Sequence, residues 1–586
     1  MLFLLSVFVT FWFYHYNRFY ILCYHEQMQL FRFDSLYFCS YLGQPGGLAK
    51  YAGSFLTQFY FYPVAGSIII ACIISVVFLL SYSIFRSCGH IGKLFFVPFV
   101  PAVLLMISFV SIHFDMSSAL GILSALAGFR WYISLRRSVR FFAGIILITL
   151  LYFVAAGNAL LLIILMILFE LFEKNTLYLL LPVAIWSVVL PWLAWRMIYT
   201  VPAGEAFFAL TPGNAPFPIA ENYALWLSVP ILYFLWRLMA SKVDFRNVAS
   251  WKILVPNILI TMVMAIGGAC LSRDVKAEIL YRMTFEAQDN HWESVIALGK
   301  AYPTKNRLAC YYTNLALANT GQMPYRMFHY KQLGVIGLFV DRDLTHSSMW
   351  YLSEIFYHLG MTLEAEHCAF EAMVGSPKEV NAQTLRRLTY TGISRRDSTT
   401  AGKYIRNFEH SLAYRSWAKQ QRKNLEQALA DSSFIIPDGP KPSRHSDFFI
   451  DYQYPDRTLL KILHDNPKHR MAFEYLMAYM MLEKDIEQVK WCMDHFFKNF
   501  DYPDIPVHYE EALMVYQNSG KDKNIQYTVS QATRERYNRY IRAYLASQGS
   551  RRNFEQLQKQ FGDTYWFYLH FVDPTKLVKK NDENRY

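Results

Sequence analysis

The first 270 residues contain few charged side chains. Of the 57 Lys and Arg and the 45 Asp and Glu in the chain, 15 and 8 fall in residues 1–270, about 9% of that stretch, against about 25% of residues 271–586. So low a charge density excludes an ordinary soluble domain and is typical of a membrane-embedded chain. We therefore predict a transmembrane domain over 1–270 and a soluble domain after it, with the boundary near "GGACLSRDVKAE".

Familiar catalytic motifs are also absent. The sequence has no Walker loop, no GxGxxG after a strand, no HExxH and no GxSxG nucleophile elbow. None of the eight cysteines forms a CxxC pair or clusters with His at zinc spacing, so we predict buried free thiols and no zinc site among them. The excess of basic residues in the tail is spread along it, which argues against nucleic-acid binding.

Long apolar runs fill the first half of the chain. A helix needs about 20 largely apolar residues to cross the hydrocarbon core. We predict nine spans, at about 1–22, 62–82, 94–113, 117–135, 141–156, 159–172, 176–198, 222–240 and 249–270. The fifth and sixth are short and meet at Gly157-Asn158. If that break is not a turn, the count drops to eight and every later orientation inverts.

The loop charges predict the orientation of these spans. With a cytoplasmic N-terminus, the inner loops carry most Lys and Arg, as in the pair Arg136-Arg137, whereas the outer loop 199–221 and the outer turn around Asp115 have none. This asymmetry follows the positive-inside rule. It predicts a multi-pass membrane protein with outer-face loops 23–61 and 199–221 and a C-terminal domain on the outer side of the membrane.

The tail has the pattern of paired helices. Apolar residues recur at helical spacing in three candidate pairs, which lie within 291–323, 347–377 and 469–500. Gly321 and Gly360 close helices 39 residues apart, a period that suits a degenerate tetratricopeptide-like solenoid. The prediction is an α-helical repeat domain over 271–430, a Pro- and Ser-rich surface connection over 431–457, and further repeats and C-terminal helices over 458–586.

The stretch "YHEQMQLFRFDSLYF" (24–38) lies between the first two spans and carries the acids Glu26 and Asp34. As a helix it would lay a broad apolar surface in the membrane interface, and the following "GQPGG" turn would lead into a second interfacial helix. One interpretation is an amphipathic connector with solvated acids. The other is a carboxylate that acts as general base or metal ligand in a water-accessible cavity, approached by acids of other outer loops: Asp115, Glu205 and Glu221.

A first outer loop with acids and two interfacial helices, followed by many spans and short broken helices, resembles the polytopic C-type (GT-C) glycosyltransferases. These enzymes take a sugar from a polyprenyl-phosphate carrier on the outer face, and an acid of the first outer loop serves as base or helps to hold a metal. The resemblance implies catalytic roles for Glu26, Asp34 and Asp115. Many members carry adjacent acids, whereas here Glu26 lies between His25 and Gln27.

The whole chain also resembles an uncharacterised family of bacterial membrane proteins with this layout. The strings that carry this resemblance are "HEQMQLF", "GQPGG" and "MAFEYLMAY". That family brings no established activity with it. The resemblance therefore supports the two-part architecture and leaves the function to the residues.

The mechanism that the glycosyltransferase resemblance implies needs cations beside the leaving phosphate. Candidates for binding the donor are His25, Arg196 and Arg273, and Arg196 lies near the outer end of the seventh span. The alternative for Arg196 is an interfacial anchor beside Trp192 and Trp195. A divalent metal ion is left open as a cofactor.

Two other functions are compatible with the same sequence. The chain could be a non-enzymatic membrane anchor whose helical repeats assemble periplasmic proteins. It could also be a surface-polysaccharide polymerase or ligase that shares the lipid carrier and relies on arginines more than on acids. The expected partners are the lipid bilayer, a polyprenyl-phosphate-linked saccharide and, through the repeats, a periplasmic protein, with no nucleic acid among them.

Overall fold

The protein is all-α, as predicted. The computed structural model describes residues 2–87, 96–173, 180–214, 220–239, 250–271, 275–302, 306–343, 345–376, 378, 380–437, 450–519, 527–547 and 551–573. Helices joined by short loops make up most of these residues, and no strand occurs among them.

The chain forms two compact units. Unit 1 comprises Met1–Asp274 together with Asn407–Trp417, and unit 2 comprises Val275–Arg406 and Ala418–Tyr586. The sequence predicted a domain change at 270–271, close to the end of the first stretch of unit 1. It did not predict that Asn407–Trp417, which we name the returning segment, belongs to unit 1.

Unit 1 is built from helices of very different lengths around one apolar core. In chain order they are α1 (Leu2–Trp12), α2 (Phe19–Gln27), α3 (Ser35–Leu42), α4 (Gly47–Thr57), α5 (Pro63–Ser87), α6 (Phe96–Ser108), α7 (Met116–Ser134), α8 (Arg140–Ala155), α9 (Ala159–Glu173), α10 (Leu180–Met197), α11 (Ala203–Phe208), α12 (Ala220–Met239) and α13 (Ser250–Leu271). A π-helical stretch, Phe13–Asn17, joins α1 to α2.

A helix lies at each of the nine predicted spans: α1 with α2, and then α5 to α10, α12 and α13. By length and composition, two segments of the described chain could cross a membrane, Pro63–Ser87 and Arg137–Glu173. Shorter apolar helices are found at Val97–Ser108, Leu181–Met197 and Val255–Gly268. The helices are therefore where the sequence predicted them, while nine membrane crossings stay a prediction.

The second of these long segments is a helical hairpin. Arg140 begins α8 and Glu170 lies near the end of α9, yet Arg140 Nη1 and Glu170 Oε1 are 3.8 Å apart. In one continuous helix, residues 30 positions apart would be separated by about 45 Å. The chain therefore reverses at Gly157-Asn158, and α8 and α9 are two antiparallel helices.

Unit 2 is also built from helices. In chain order its helices are α14 (Val275–Gln288), α15 (Trp292–Ala301), α16 (Arg307–Asn319), α17 (Met323–Arg326), α18 (His346–His358), α19 (Thr362–Val374), α20 (Ala382–Ser394), α21 (Ser398–Glu409), α22 (Arg415–Ala430), α23 (Pro455–Asp465), α24 (Arg470–Glu483), α25 (Ile486–Phe496), α26 (Val507–Asn518), α27 (Gln531–Ser547), α28 (Arg551–Phe561) and α29 (Tyr565–Phe571). The last residues of α21 and the first of α22 belong to the returning segment.

The three predicted helix pairs of the tail are present as α15 with α16, α18 with α19, and α24 with α25. Gly321 follows α16 and Gly360 follows α18, with φ angles of +67° and +73°. Glycine adopts this left-handed conformation without strain, so both residues end their helices as the sequence indicated. Of the predicted connection 431–457, residues 438–449 lie outside the described residues.

The stretch 24–38 is not one helix, which corrects the sequence-based expectation. Helix α2 ends at Gln27, residues 28–34 are non-helical, and α3 begins at Ser35. Within the non-helical stretch, Phe31 is 1% exposed and packs its ring among those of Phe33, Tyr37, Tyr51 and Phe55. The second helix predicted after "GQPGG" is present as α4.

The described cysteines are free thiols, but Cys39, Cys72 and Cys270 are exposed, which corrects the prediction that the thiols are buried. Cys310, Cys368 and Cys492 are buried in helices of unit 2, where the sequence placed them in apolar surroundings. Burial raises the pKa of Cys310 and Cys492 to about 12, which keeps both thiols protonated and unreactive at neutral pH. Cys88 lies outside the described residues.

Candidate active site in the first loop of unit 1

Glu26 lies near the C-terminal end of α2 and is 4% exposed. Its Oε2 accepts a hydrogen bond from the hydroxyl of Tyr414 at 2.8 Å. Tyr414 belongs to the returning segment, is 2% exposed, and packs its ring edge-on against that of Phe61, with centroids 5.0 Å apart. Because a buried carboxylate must be paired or hydrogen-bonded, this contact helps the fold to accommodate Glu26.

Two further hydrogen bonds hold the returning segment on the stretch that follows Glu26. Arg32 Nη1 donates to Asn407 Oδ1 at 2.6 Å. The backbone N–H of Phe33 donates to the carbonyl oxygen of His410 at 2.8 Å. Phe33 lies in the non-helical stretch 28–34, so its backbone N–H has no acceptor within a helix and can pair with such a partner. The returning segment therefore contacts this loop through backbone, polar and aromatic groups.

Asp34 caps α3. Its Oδ1 accepts a hydrogen bond from the backbone N–H of Tyr37 at 2.7 Å, and its Oδ2 lies 3.7 Å from Arg32 Nε. The backbone of Asp34 is extended, as an N-cap requires. The cap pairs one of the N–H groups that the first turn of a helix leaves without an acceptor. Asp34 thus has a structural role that the sequence-based reading did not name.

Replacing Asp34 by Ala is expected to lower the stability of unit 1 by about 1 kcal/mol, because the first turn of α3 loses its cap. Asp34→Asn keeps a side-chain oxygen that can accept the same hydrogen bond. Its loss of stability is therefore expected to be a few tenths of the loss in Asp34→Ala. The measurement is the midpoint of thermal unfolding of the full-length protein in detergent. Equal midpoints for the two variants would contradict the capping role.

Asp115 is the residue before α7, and its side chain does not cap that helix. On α4, Lys50 Nζ lies 3.5 Å from Glu205 Oε1 and 3.1 Å from Gln44 Oε1. Burial lowers the pKa of Lys50, and the negative charges of Glu205 and Asp115 oppose that shift. Lys50 on α4, Glu205 on α11 and Asp115 before α7 thus supply one cation and two carboxylates that act on one another electrostatically.

Tyr60 lies beside this region and is 2% exposed. Within the described residues, its hydroxyl oxygen has no hydrogen-bond partner. Burial raises the pKa of Tyr60, and the charge of Asp115 adds to that rise. The phenol therefore stays protonated and can donate a hydrogen bond to a ligand.

The turn between α8 and α9 supports the loop that carries Glu205. The N–H of Gly157 donates to the carbonyl of Ala209 at 3.0 Å, and Asn158 Nδ2 donates to the carbonyl of Leu210 at 3.0 Å. The indole N–H of Trp226 donates to Asn158 Oδ1 at 3.2 Å. A helix break in an apolar setting is tolerated where neighbouring protein pairs the freed backbone groups, and this loop does so.

The "GQPGG" turn packs against the same break. Gly46 has φ of +67°, and a Cβ added there would lie 2.9 Å from Leu210 Cδ1 and 3.1 Å from Ala156 Cβ. Glycine is therefore required at this position both by the backbone conformation and by the close approach. This packing explains why a Gly-rich turn stands between the first two apolar segments.

The other predicted site residues lie in different settings. His25 is half-buried, and its ring stands edge-on to that of Tyr24. Arg196 is exposed, with its guanidinium carbon 5.7 Å from the ring centroid of Trp195, which fits the anchor alternative. Arg273 lies outside the described residues.

One group of side chains in unit 2 has ligand atoms close enough to suggest a metal: Glu364, His367 and Cys368 on α19. His367 Nδ1 lies 3.0 Å from Glu364 Oε1, and Cys368 Sγ lies 3.6 Å from the same oxygen. Burial raises the pKa of the Cys368 thiol, and a protonated thiol is a poor metal ligand. These contacts with one another explain the cluster, and we assign no metal to it.

Sequence reasoning missed two residues of the site, Tyr414 and Lys50. Lys50 had a local signal, since it is a single lysine in the small-residue stretch "GGLAKYAG" of a predicted outer loop. Tyr414 had none, because 388 positions separate it from Glu26 and its surroundings are ordinary helix-pair sequence.

These features define an all-α protein of two units, one of which is largely apolar. The model of the family of unknown function DUF6057 matches residues 1–572, and the chain belongs to that family. The predicted membership of an uncharacterised family is thereby confirmed. No curated protein and no solved structure matches the chain.

Proposed function

We propose that unit 1 is a nine-span membrane transferase of the C-type glycosyltransferase kind, which passes a sugar from a polyprenyl-phosphate carrier to a hydroxyl acceptor. Helices at all nine predicted positions, and the reversal between α8 and α9, support the count of nine. With a cytoplasmic N-terminus, this count puts the loop around Glu26 and the C-terminal domain on the periplasmic side of the bacterial inner membrane.

The observation that carries this proposal is the hydrogen bond that the hydroxyl of Tyr414 donates to Glu26. A general base must stand within about 2.6–3.2 Å of the group whose proton it removes. The hydroxyl of Tyr414 stands 2.8 Å from Glu26 Oε2, so the carboxylate can hold a hydroxyl in that geometry. The carboxylate is 4% exposed, so bulk water has little access to it while Tyr414 is in place.

In the proposed reaction, Glu26 takes the proton of the acceptor hydroxyl while the acceptor oxygen attacks the anomeric carbon of the donor sugar. The bond from that carbon to the phosphate oxygen of the carrier breaks, and polyprenyl phosphate leaves with the bonding electrons. A nearby cation stabilises the charge on the leaving phosphate. We assign that role to Lys50, whose ammonium nitrogen lies 3.5 Å from Glu205 Oε1 and whose charged form the carboxylate of Asp115 also favours.

In this proposal the helical repeats of unit 2 bind a ligand or partner and take no part in the chemistry. Stacked helix pairs make extended surfaces that suit a long or protein-borne ligand. Unit 2 would therefore bind the acceptor or a periplasmic partner, and the chemistry would stay in unit 1.

The test compares surface glycans and lipid-linked sugars in cells that carry the wild-type protein, Glu26→Gln or a deletion. Gln keeps the size of the side chain and removes its basicity, so we expect the same glycan loss and the same accumulation of lipid-linked precursor as in the deletion. General-base catalysis contributes about 10²- to 10⁴-fold to a rate, so the loss should be nearly complete.

The matched control is Glu170→Gln. Glu170 is also buried, at 2% exposed, and also accepts a hydrogen bond from a tyrosine, Tyr132, at 2.8 Å. Its variant should leave the glycans unchanged at equal protein levels. Unchanged glycans in both the deletion and Glu26→Gln would refute the transferase. Accumulation of unpolymerised or unligated units in the deletion alone would favour the polymerase or ligase alternative.

A second candidate function is a membrane-anchored scaffold for periplasmic proteins. The hydrogen bond between Tyr414 and Glu26 is also compatible with this function, in which its role is structural. The hydrogen bond between Tyr414 and Glu26 joins parts of the chain that are 388 positions apart, which a purely structural tie would also do. On this account Glu26→Gln would lower protein stability and partner capture but change no glycan.

A further inference from the structure

The returning segment places a hydroxyl group where the proposed reaction needs one from the acceptor. Tyr414 donates to Glu26 Oε2 at 2.8 Å, and both side chains are almost wholly buried, at 2% and 4% exposed. A base that is this buried is closed to an external acceptor. An acceptor hydroxyl can reach the same oxygen only after Tyr414 leaves it.

Besides the Tyr414–Glu26 bond, three contacts of the returning segment with the loop are of a kind that can be exchanged. They are the Phe33 N–H to His410 carbonyl bond, the Arg32 to Asn407 bond and the edge-on contact of Phe61 with Tyr414. Each of these offers an incoming ligand something to bind, because a backbone N–H, a guanidinium and an aromatic ring are freed together. A hydroxyl-bearing acceptor could then regain the same contacts.

We propose that the returning segment, Asn407–Trp417, is a tethered occupant of the acceptor side of the site, and that the acceptor displaces it. This inference rests on the proposed transferase function. The hydroxyl of Tyr414 holds the place of the acceptor hydroxyl on Glu26, so the structure is the closed form. The ligand class that opens it is a molecule with a free hydroxyl beside a ring or chain that covers Phe61.

The test uses Tyr414→Phe in the full-length protein. Phe keeps the ring against Phe61 and removes only the hydroxyl that competes for Glu26. We expect faster hydrogen–deuterium exchange in the returning segment and a several-fold lower KM for the acceptor, with kcat little changed, because less of the protein is held in the closed form. The probes are lipid-linked sugar extracted from deletion cells as donor and the surface glycan fraction as acceptor.

The matched control is Tyr132→Phe, which also removes a hydroxyl that donates to a buried glutamate at 2.8 Å. This change should alter neither the exchange of the returning segment nor the KM for the acceptor. It separates displacement at Glu26 from a general loosening of unit 1 on losing a tyrosine hydroxyl.

Each other outcome is decisive. Unchanged exchange in Tyr414→Phe overturns the inference, whatever the turnover. Lower kcat with an unchanged KM would make Tyr414 a positioning residue for Glu26 and would also overturn it. If folded wild-type protein transfers no sugar at all, the transferase proposal fails and this inference fails with it. If wild type is active and Tyr414→Phe transfers sugar more slowly, only this inference fails.

Discussion

Replacing Arg387 by Met is expected to destabilise unit 2 by about 3–5 kcal/mol. Arg387 forms an ion pair with Glu354, and the two residues are 6% and 0% exposed. Burial raises the pKa of Glu354, and Arg387 opposes that rise. Without the guanidinium, a carboxylate is left in apolar surroundings. The measurement is the midpoint of thermal unfolding of the full-length protein. Hydrogen–deuterium exchange of α18 and α20 is measured as a second readout.

The double variant Arg387→Met with Glu354→Leu tests whether the loss of stability comes from the unpaired carboxylate. It removes both charges, so it is expected to recover much of the lost stability, because no buried charge is left unpaired. The matched control is Arg395→Met, since Arg395 Nη1 lies 2.7 Å from Glu366 Oε2 in a partly exposed pair worth under about 1 kcal/mol. A double variant that is less stable than the single one would contradict the account.

Replacing Asn158 by Leu is expected to cost unit 1 about 3 kcal/mol. Asn158 is 0% exposed, donates to the carbonyl of Leu210 and accepts from the indole N–H of Trp226. Leu makes neither bond and leaves two polar partners without their hydrogen bonds, each at about 1–3 kcal/mol. The loop that holds Glu205 should also become more accessible to protease. The measurement combines the thermal midpoint with limited proteolysis at 203–211.

The matched control for this prediction is Asn222→Leu. Asn222 is 6% exposed, and within the described residues its Oδ1 has no hydrogen-bond partner. Asn222→Leu should therefore lower the stability of unit 1 by much less than Asn158→Leu does. Equal losses at the two positions would show that size, and not hydrogen bonding at the turn, decides the effect.

Local patterns in the sequence predicted much of the fold. Runs of apolar residues gave helices at all nine expected positions, and helical spacing gave the three pairs of the tail. The break at Gly157-Asn158 was visible because Gly and Asn interrupt an apolar run. The turn itself needed the structure, since only the proximity of Arg140 and Glu170 shows that the chain reverses there.

The candidate site was predicted only in part. The acids Glu26, Asp34 and Asp115 were found because charge is rare in the first 270 residues. The local sequence "DSLY" also contained the N-cap signal of Asp34, an acid directly before a helix, which was overlooked. The contact of Tyr414 with Glu26 was not predictable, because it depends on tertiary packing between distant stretches and leaves no periodicity or motif.

The most direct test of the central claim is the release of polyprenyl phosphate by purified full-length protein. The assay uses proteoliposomes that contain lipid-linked sugar from deletion cells, together with the acceptor glycan fraction. We expect wild type and Glu170→Gln to release polyprenyl phosphate at similar rates, and Glu26→Gln to release it about 100-fold more slowly or worse. Equal release by wild type and folded Glu26→Gln, or no release by folded wild type, would contradict the claim that Glu26 is the base of a membrane transferase.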